Sequence, residues 1–139
     1  MEKRNLGNKG TKVGALGIGA MSFSDFYGPT NTQESHAILK MALDNGIDHI
    51  DTAKVYGMGL SEERIGQFLN TLNPKDRQFF KIATKGGIDR KNFDDKGTVV
   101  FDNSKEFLTE ELNNSLKRLG VDCVELYYVH RREADRAIE

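Results

Sequence analysis

Cysteine is almost absent from this chain, with Cys123 alone among 139 residues. A single thiol excludes an internal disulfide and any multi-cysteine zinc centre, and it fits a reducing compartment. No charge of one sign predominates either, since 20 lysines and arginines face 21 aspartates and glutamates. Without a block of like charges the chain has neither the footprint of a nucleic-acid binder nor a polybasic membrane anchor. No run approaches the ~18 consecutive apolar residues of a membrane span, and Met1-Glu2-Lys3-Arg4-Asn5 lacks the apolar region of a signal peptide. Together these absences predict a cytoplasmic protein whose partners are small molecules or other proteins. What is present, 37% hydrophobic and 29% charged residues, is an ordinary globular composition, and the length suits one domain over residues 1–139.

Patterning along the chain predicts alternating strands and helices. Val13 to Gly19 reads as a buried, glycine-laced strand, preceded by a small hairpin that turns at residues 8–10. The Ser22 to Thr32 segment, with Gly28 and Pro29, reads as a functional loop or a connector. Gln33 to Asn45 has Ile38, Met41 and Ala42 at helical spacing, Asn31 or Thr32 as cap and Gly46 as stop. Ile47 to Ile50 alternates as a strand. A second helix is expected over Glu62 to Leu72, capped by Ser61, buried through Ile65, Phe68, Leu69 and Leu72, and ended by Asn73-Pro74. A third strand follows over Phe79 to Thr84, then a long polar loop to Asp102. Ser104 should cap a third helix whose stripe is Leu108, Leu112, Leu116 and Leu119, with Gly120 as its end. Val124 to Val129 is the fourth strand.

This order predicts an α/β fold with a parallel sheet covered by helices. Strand starts at Ala15, Ile47, Phe79 and Val124 recur about every 36 residues, so eight units would need roughly 290 residues, the size of a (β/α)₈ barrel. Four units make half of one, although a small doubly wound domain fits the count equally.

Barrel enzymes carry their chemistry at the carboxyl ends of the strands. Those ends hold Gly19-Ala20-Met21, then Asp51 with Tyr56, then Lys85, then His130. A phenol with a pKa of ~10 donates a proton poorly near neutrality unless a cation favours the phenolate, and Lys85 could supply that cation. Asp51 would keep Lys85 charged, and His130 could hold a substrate oxygen. The set suits proton donation to a carbonyl that receives a hydride. Taken singly, each residue also has a structural reading: a turn or cap for Asp51, amphipathic packing for Tyr56, a solvated loop lysine for Lys85, a hydrogen-bonded histidine for His130.

Several spaced motifs, in order, resemble the N-terminal half of the aldo-keto reductases. They are Leu16-Gly17-Ile18-Gly19-Ala20-Met21, Gly46-Ile47-Asp48-His49-Ile50-Asp51-Thr52-Ala53-Lys54-Val55-Tyr56-Gly57, Ser61-Glu62-Glu63, Ala83-Thr84-Lys85 and Val124 to Arg131. The resemblance implies the first half of a TIM-type (β/α)₈ barrel and an oxidoreductase that reduces aldehydes and ketones with NADPH. It implies a tetrad of Tyr56 as acid, Lys85 as its activator, Asp51 as the partner of Lys85, and His130 orienting the carbonyl. Gly19, Ala20, Met21 and Asp51 would lie beside the nicotinamide. The second half, which in the family supplies most of the cofactor site, is not in this sequence. The expectation is therefore a tetrad without a complete NADPH pocket, served by a homo-oligomer or a complementing second half. The alternative is an inactive, truncated reductase acting as a binding or interaction module.

Other signals carry less. Gly17-Ile18-Gly19 lacks the third glycine of a dinucleotide fingerprint, and Gly7-Asn8-Lys9-Gly10-Thr11-Lys12 lacks the spacing of a phosphate loop. His36 and His49 have no metal-ligand partners at useful spacing, so no metal is expected. Cys123, at the entry to a strand, reads as a small core residue.

Overall fold

The computed structural model describes residues 1–8, 10–93 and 99–133. Its centre is a four-stranded parallel sheet of β3 (Gly17–Gly19), β4 (His49–Asp51), β5 (Lys81–Gly86) and β8 (Leu126–Val129), in that order. Each crossover carries a helix: α1 (Thr32–Asp44), then α2 (Leu60–Thr71) with the short α3 (Pro74–Phe79), then α4 (Lys105–Leu119). Consecutive strands are neighbours in space, as expected of β/α units winding in one direction. The predicted α/β architecture is observed.

The first expected strand is divided in two. Lys12–Gly14 forms β2 and pairs antiparallel with β1 (Lys3–Asn5), while Gly17–Gly19 turns away to join the main sheet. The hairpin is anchored by Asp48, which is buried and accepts from the Lys3 ammonium and from the Gly14 amide at 2.6 Å. Burial alone would raise the Asp48 pKa, but these two donors outweigh it and hold the carboxyl below its usual range. Asp48 precedes β4, so the hairpin sits at the amino ends of the strands.

Local sequence explains the helix boundaries. Asn31 Oδ1 accepts the Glu34 amide at 2.9 Å, Asn73 Oδ1 accepts Asp76 at 3.0 Å, and Ser104 Oγ accepts Phe107 at 3.3 Å. Ser61 is not the cap of α2. That helix starts from Gly59, and the buried Ser61 hydroxyl instead donates to the Ala20 carbonyl at 2.8 Å. The helix expected to end at Asn73-Pro74 is followed at once by α3, in which Pro74 takes the first turn. That short helix claims Phe79, so β5 begins two residues later than predicted.

Between sheet and helices lies a core of Phe23, Leu39, Ile50, Ile65, Leu69, Ile82 and Leu119, with Phe68 and Phe80 packed edge-on. Two expected faces are rotated from the prediction. In α1 the buried residues are Ser35, Leu39 and Ala42, leaving Ile38 and Met41 exposed. In α4 the deepest residues are Glu111, Ser115 and Leu119, and the other leucines of the stripe are only half-buried. The loop predicted from Lys85 to Asp102 contains an antiparallel pair, β6 (Ile88–Phe93) with β7 (Val99–Phe101); residues 94–98 of it lie outside the described residues. Cys123 is exposed rather than in the core. No helix among the described residues is long and apolar enough to cross a membrane.

Candidate active site

Parallel pairing puts the carboxyl ends of all four sheet strands on one rim. Gly19 is in register with Asp51, Asp51 with Ala83, and Lys85 with Tyr128. The His130 amide continues the ladder by donating to the Gly86 carbonyl at 2.8 Å. Gly19, Asp51, Lys85 and His130 therefore reach the same edge.

Lys85 is the hub of that edge. Its ammonium donates to Asp51 Oδ1, to the Thr52 carbonyl at 2.8 Å and to Tyr56 Oη at 3.3 Å. It has three protons and no lone pair, so these three acceptors use all of its donors. The consequence for Tyr56 is directional: its oxygen accepts from Lys85, and its own proton is free for another acceptor. The Lys85 side chain is 13% exposed, against 35% for Asp51, so the pair sits at the base of an open rim.

Tyr56 also stacks edge-on with His130, ring centroids 5.8 Å apart. The buried His130 Nδ1 has no hydrogen-bond partner among the described residues. Burial, followed by the positive charges of Lys85 and Arg131, pushes the His130 pKa below 6.5, with Asp51 opposing. At neutral pH its ring is uncharged, with one nitrogen a donor and the other an acceptor.

The backbone after Tyr56 is tightly wound. Gly57, Met58 and Gly59 all have positive φ, and Met58 at 56° is one of only two such non-glycine residues among those described. Left-handed conformations of this kind collect at functional turns. Gly57 is required twice over, since a Cβ there would stand 2.8 Å from the Ser24 side chain. A hydroxyl relay ties in the neighbouring loop: Thr52 donates to Ser61 at 2.9 Å, and Ser61 donates to Ala20. Gly19 is exposed, Ala20 buried and Met21 half-buried. The Ser22 to Thr32 segment is pinned rather than free, with the buried Arg64 donating to the carbonyls of Phe23 at 2.6 Å and Thr30 at 3.3 Å.

The family profile described as "Aldo/keto reductase family" matches residues 15–139. The chain belongs to this family. Among similar proteins, "Aldo-keto reductase yakc [NADP(+)]" of Schizosaccharomyces pombe is 35% identical over 136 residues, which are 98% of this chain and 38% of that protein. "Aldo-keto reductase YhdN" of Bacillus subtilis is 34% identical, covering 94% of this chain and 38% of its own length. The holo form of aldo-keto reductase AKR11C1 from Bacillus halodurans superposes with a TM-score of 0.75 at 34% identity, over 91% of this chain and 39% of that one. The chain thus spans about two-fifths of the reductases it matches. Its four parallel strands and three helical crossovers correspond to the first half of their barrel.

Some contacts of this rim could not be read from the sequence. The Thr52 carbonyl is a backbone acceptor with no residue-type signal. The Tyr128 ring, with its centroid 6.0 Å from the Lys85 ammonium, is one of two adjacent tyrosines that alternate faces. The buried pair of Lys54 and Glu111, 2.7 Å apart, joins residues far apart in sequence.

Proposed function

We propose that this rim is the proton-donating site of an NADPH-dependent reduction of small aldehydes or ketones to alcohols. The observation that carries the reading is the set of three hydrogen bonds from Lys85, which leaves the Tyr56 proton unshared beside a fixed cation. NADPH would supply a hydride to the carbonyl carbon. As that C–H bond forms, the electron pair displaced onto the carbonyl oxygen takes the Tyr56 proton. The phenolate left behind faces the Lys85 ammonium, whose charge Asp51 balances. Solvent returns the proton to Tyr56. His130, neutral at pH 7, holds the carbonyl oxygen by an N–H donor.

Gly19, Ala20, Met21 and Asp51 would hold the nicotinamide end. Their fit is supported by Gly19, where a Cβ would meet no atom within 4 Å, directly in register with Asp51. The remainder of a dinucleotide site would come from a complementing second half. The test is NADPH oxidation with an aromatic aldehyde by the 139-residue chain, beside Tyr56→Phe. Turnover that falls about 100-fold or more in the variant supports the reading, the scale expected for loss of a general acid. Turnover unchanged by the substitution would overturn it.

A further inference from the structure

Glu111 lies on α4, outside the rim, yet it is among the most buried residues of that helix. Its two carboxylate oxygens go to two different loops. Oε1 pairs with the Lys54 ammonium at 2.7 Å, and Oε2 accepts the Gly87 amide at 3.1 Å. Lys54 stands two residues before Tyr56, and Gly87 two residues after Lys85. Lys54 adds two further ties to the same strand end: its amide donates to the Lys85 carbonyl at 3.3 Å, and its ammonium reaches the Ile88 carbonyl at 3.5 Å.

We infer that Glu111 and Lys54 form a positioning clamp that fixes the Tyr56 loop against the Lys85 strand end. The clamp rests on the reading of Tyr56 and Lys85 given above, which it deepens by naming what sets their separation. The 3.3 Å contact between Lys85 and Tyr56 joins β5 to the loop after β4, and past Asp51 and Ala83 only two backbone hydrogen bonds tie that loop to the strand, Thr52 N–H to the Ala83 carbonyl at 2.9 Å and Lys54 N–H to the Lys85 carbonyl at 3.3 Å. Helix α4 adds a side-chain link from behind, through a buried carboxylate that holds both Lys54 and the Gly87 amide. The space is tight, since a Cβ on Gly86 would come within 3.2 Å of Glu111 Oε2. Nothing in fold stability requires a charged pair here. An apolar pair of similar volume is often as stable as a buried ion pair, or more so.

That difference separates positioning from structure. In the double variant Lys54→Met/Glu111→Met both ties are cut without leaving an unpaired buried charge. The readout is the NMR cross-relaxation between the Lys85 Hε protons and the Tyr56 ring protons, assigned by its disappearance in Tyr56→Leu. In the unsubstituted chain this signal is expected, because the ammonium lies 5.0 Å from the ring centroid. In the double variant it should at least halve while the protein keeps a cooperative thermal melt, lowered only by the cost of the Gly87 amide left without its acceptor. Glu111→Gln, which keeps one acceptor oxygen, should lose less of it, and it carries the same comparison if the double variant does not fold. An undiminished signal in the folded variants overturns the clamp while leaving the proton-donor reading in place. No Lys85 to Tyr56 signal in the unsubstituted chain overturns both.

Discussion

A histidine that folds into a site with one ring nitrogen buried and unpartnered resists protonation, and His130 is in that position. Its folded pKa lies below the unfolded 6.5, so between those values the unfolded chain binds more protons. The contribution of neutral His130 is therefore complete above pH 6.5 and is lost as pH falls from there towards the folded value. Denaturant unfolding at about pH 7.5 and about pH 5.5 should show this loss, and His130→Gln should lose less stability over the same interval. An equal loss in both chains would refute it. The same argument bears on chemistry, because a neutral ring keeps a donor for a carbonyl oxygen without adding a second positive charge beside Lys85. That Asp51, Tyr56, Lys85 and His130 come together was legible in the sequence because strand ends can be counted. The Thr52 carbonyl was not, because every residue has one.

Among the elements, α2 and α4 approach so closely that their contact depends on a missing side chain. A Cβ on Gly66 would stand 2.1 Å from the Arg118 carbonyl, a backbone atom that cannot swing aside. Gly66→Ala should therefore destabilise the chain by about 1–3 kcal/mol despite the better helix propensity of alanine. A thermal melt at or above that of the unsubstituted chain would show that the helices separate freely. The same interface holds Glu62, fully buried, accepting from Thr84 at 2.6 Å and from Arg118 at 2.7 Å. Tyr127, also in this layer, has its phenol pushed up by burial and then by Glu111 and Glu62. Helix ends were readable because caps are local, as at Asn31, Ser104 and Gly120. Helix faces were less so. A periodicity of leucines cannot show that Glu111 turns inward to partners on other elements or that Ser115 is buried beside it, nor that Ile38 and Met41 turn outward.

For the whole molecule, the sheet has two open sides among the described residues: β3 pairs only with β4, and β8 only with β5. Leu16, Ile38, Met41, Tyr128 and Val129 are exposed apolar residues around this half barrel. Unpaired strand edges and exposed apolar surface promote association. Sedimentation velocity of the 139-residue polypeptide should thus show species heavier than its 15.6 kDa monomer, increasing with concentration. A monomer throughout would refute this. The half-barrel architecture was legible from the recurring unit length. The split of the first strand was not, because it depends on Gly17–Gly19 pairing with the remote His49–Asp51, and the β6–β7 pair was not, because no alternation of apolar residues marks its first strand. Finally, Cys123 is exposed just ahead of β8, at the amino end of that strand, whereas the rim holding Lys85 and His130 is at the carboxyl ends. A maleimide dye or a thiol-reactive chip would therefore attach at one point on the far side of the molecule, holding every copy in one orientation with its rim facing the solution.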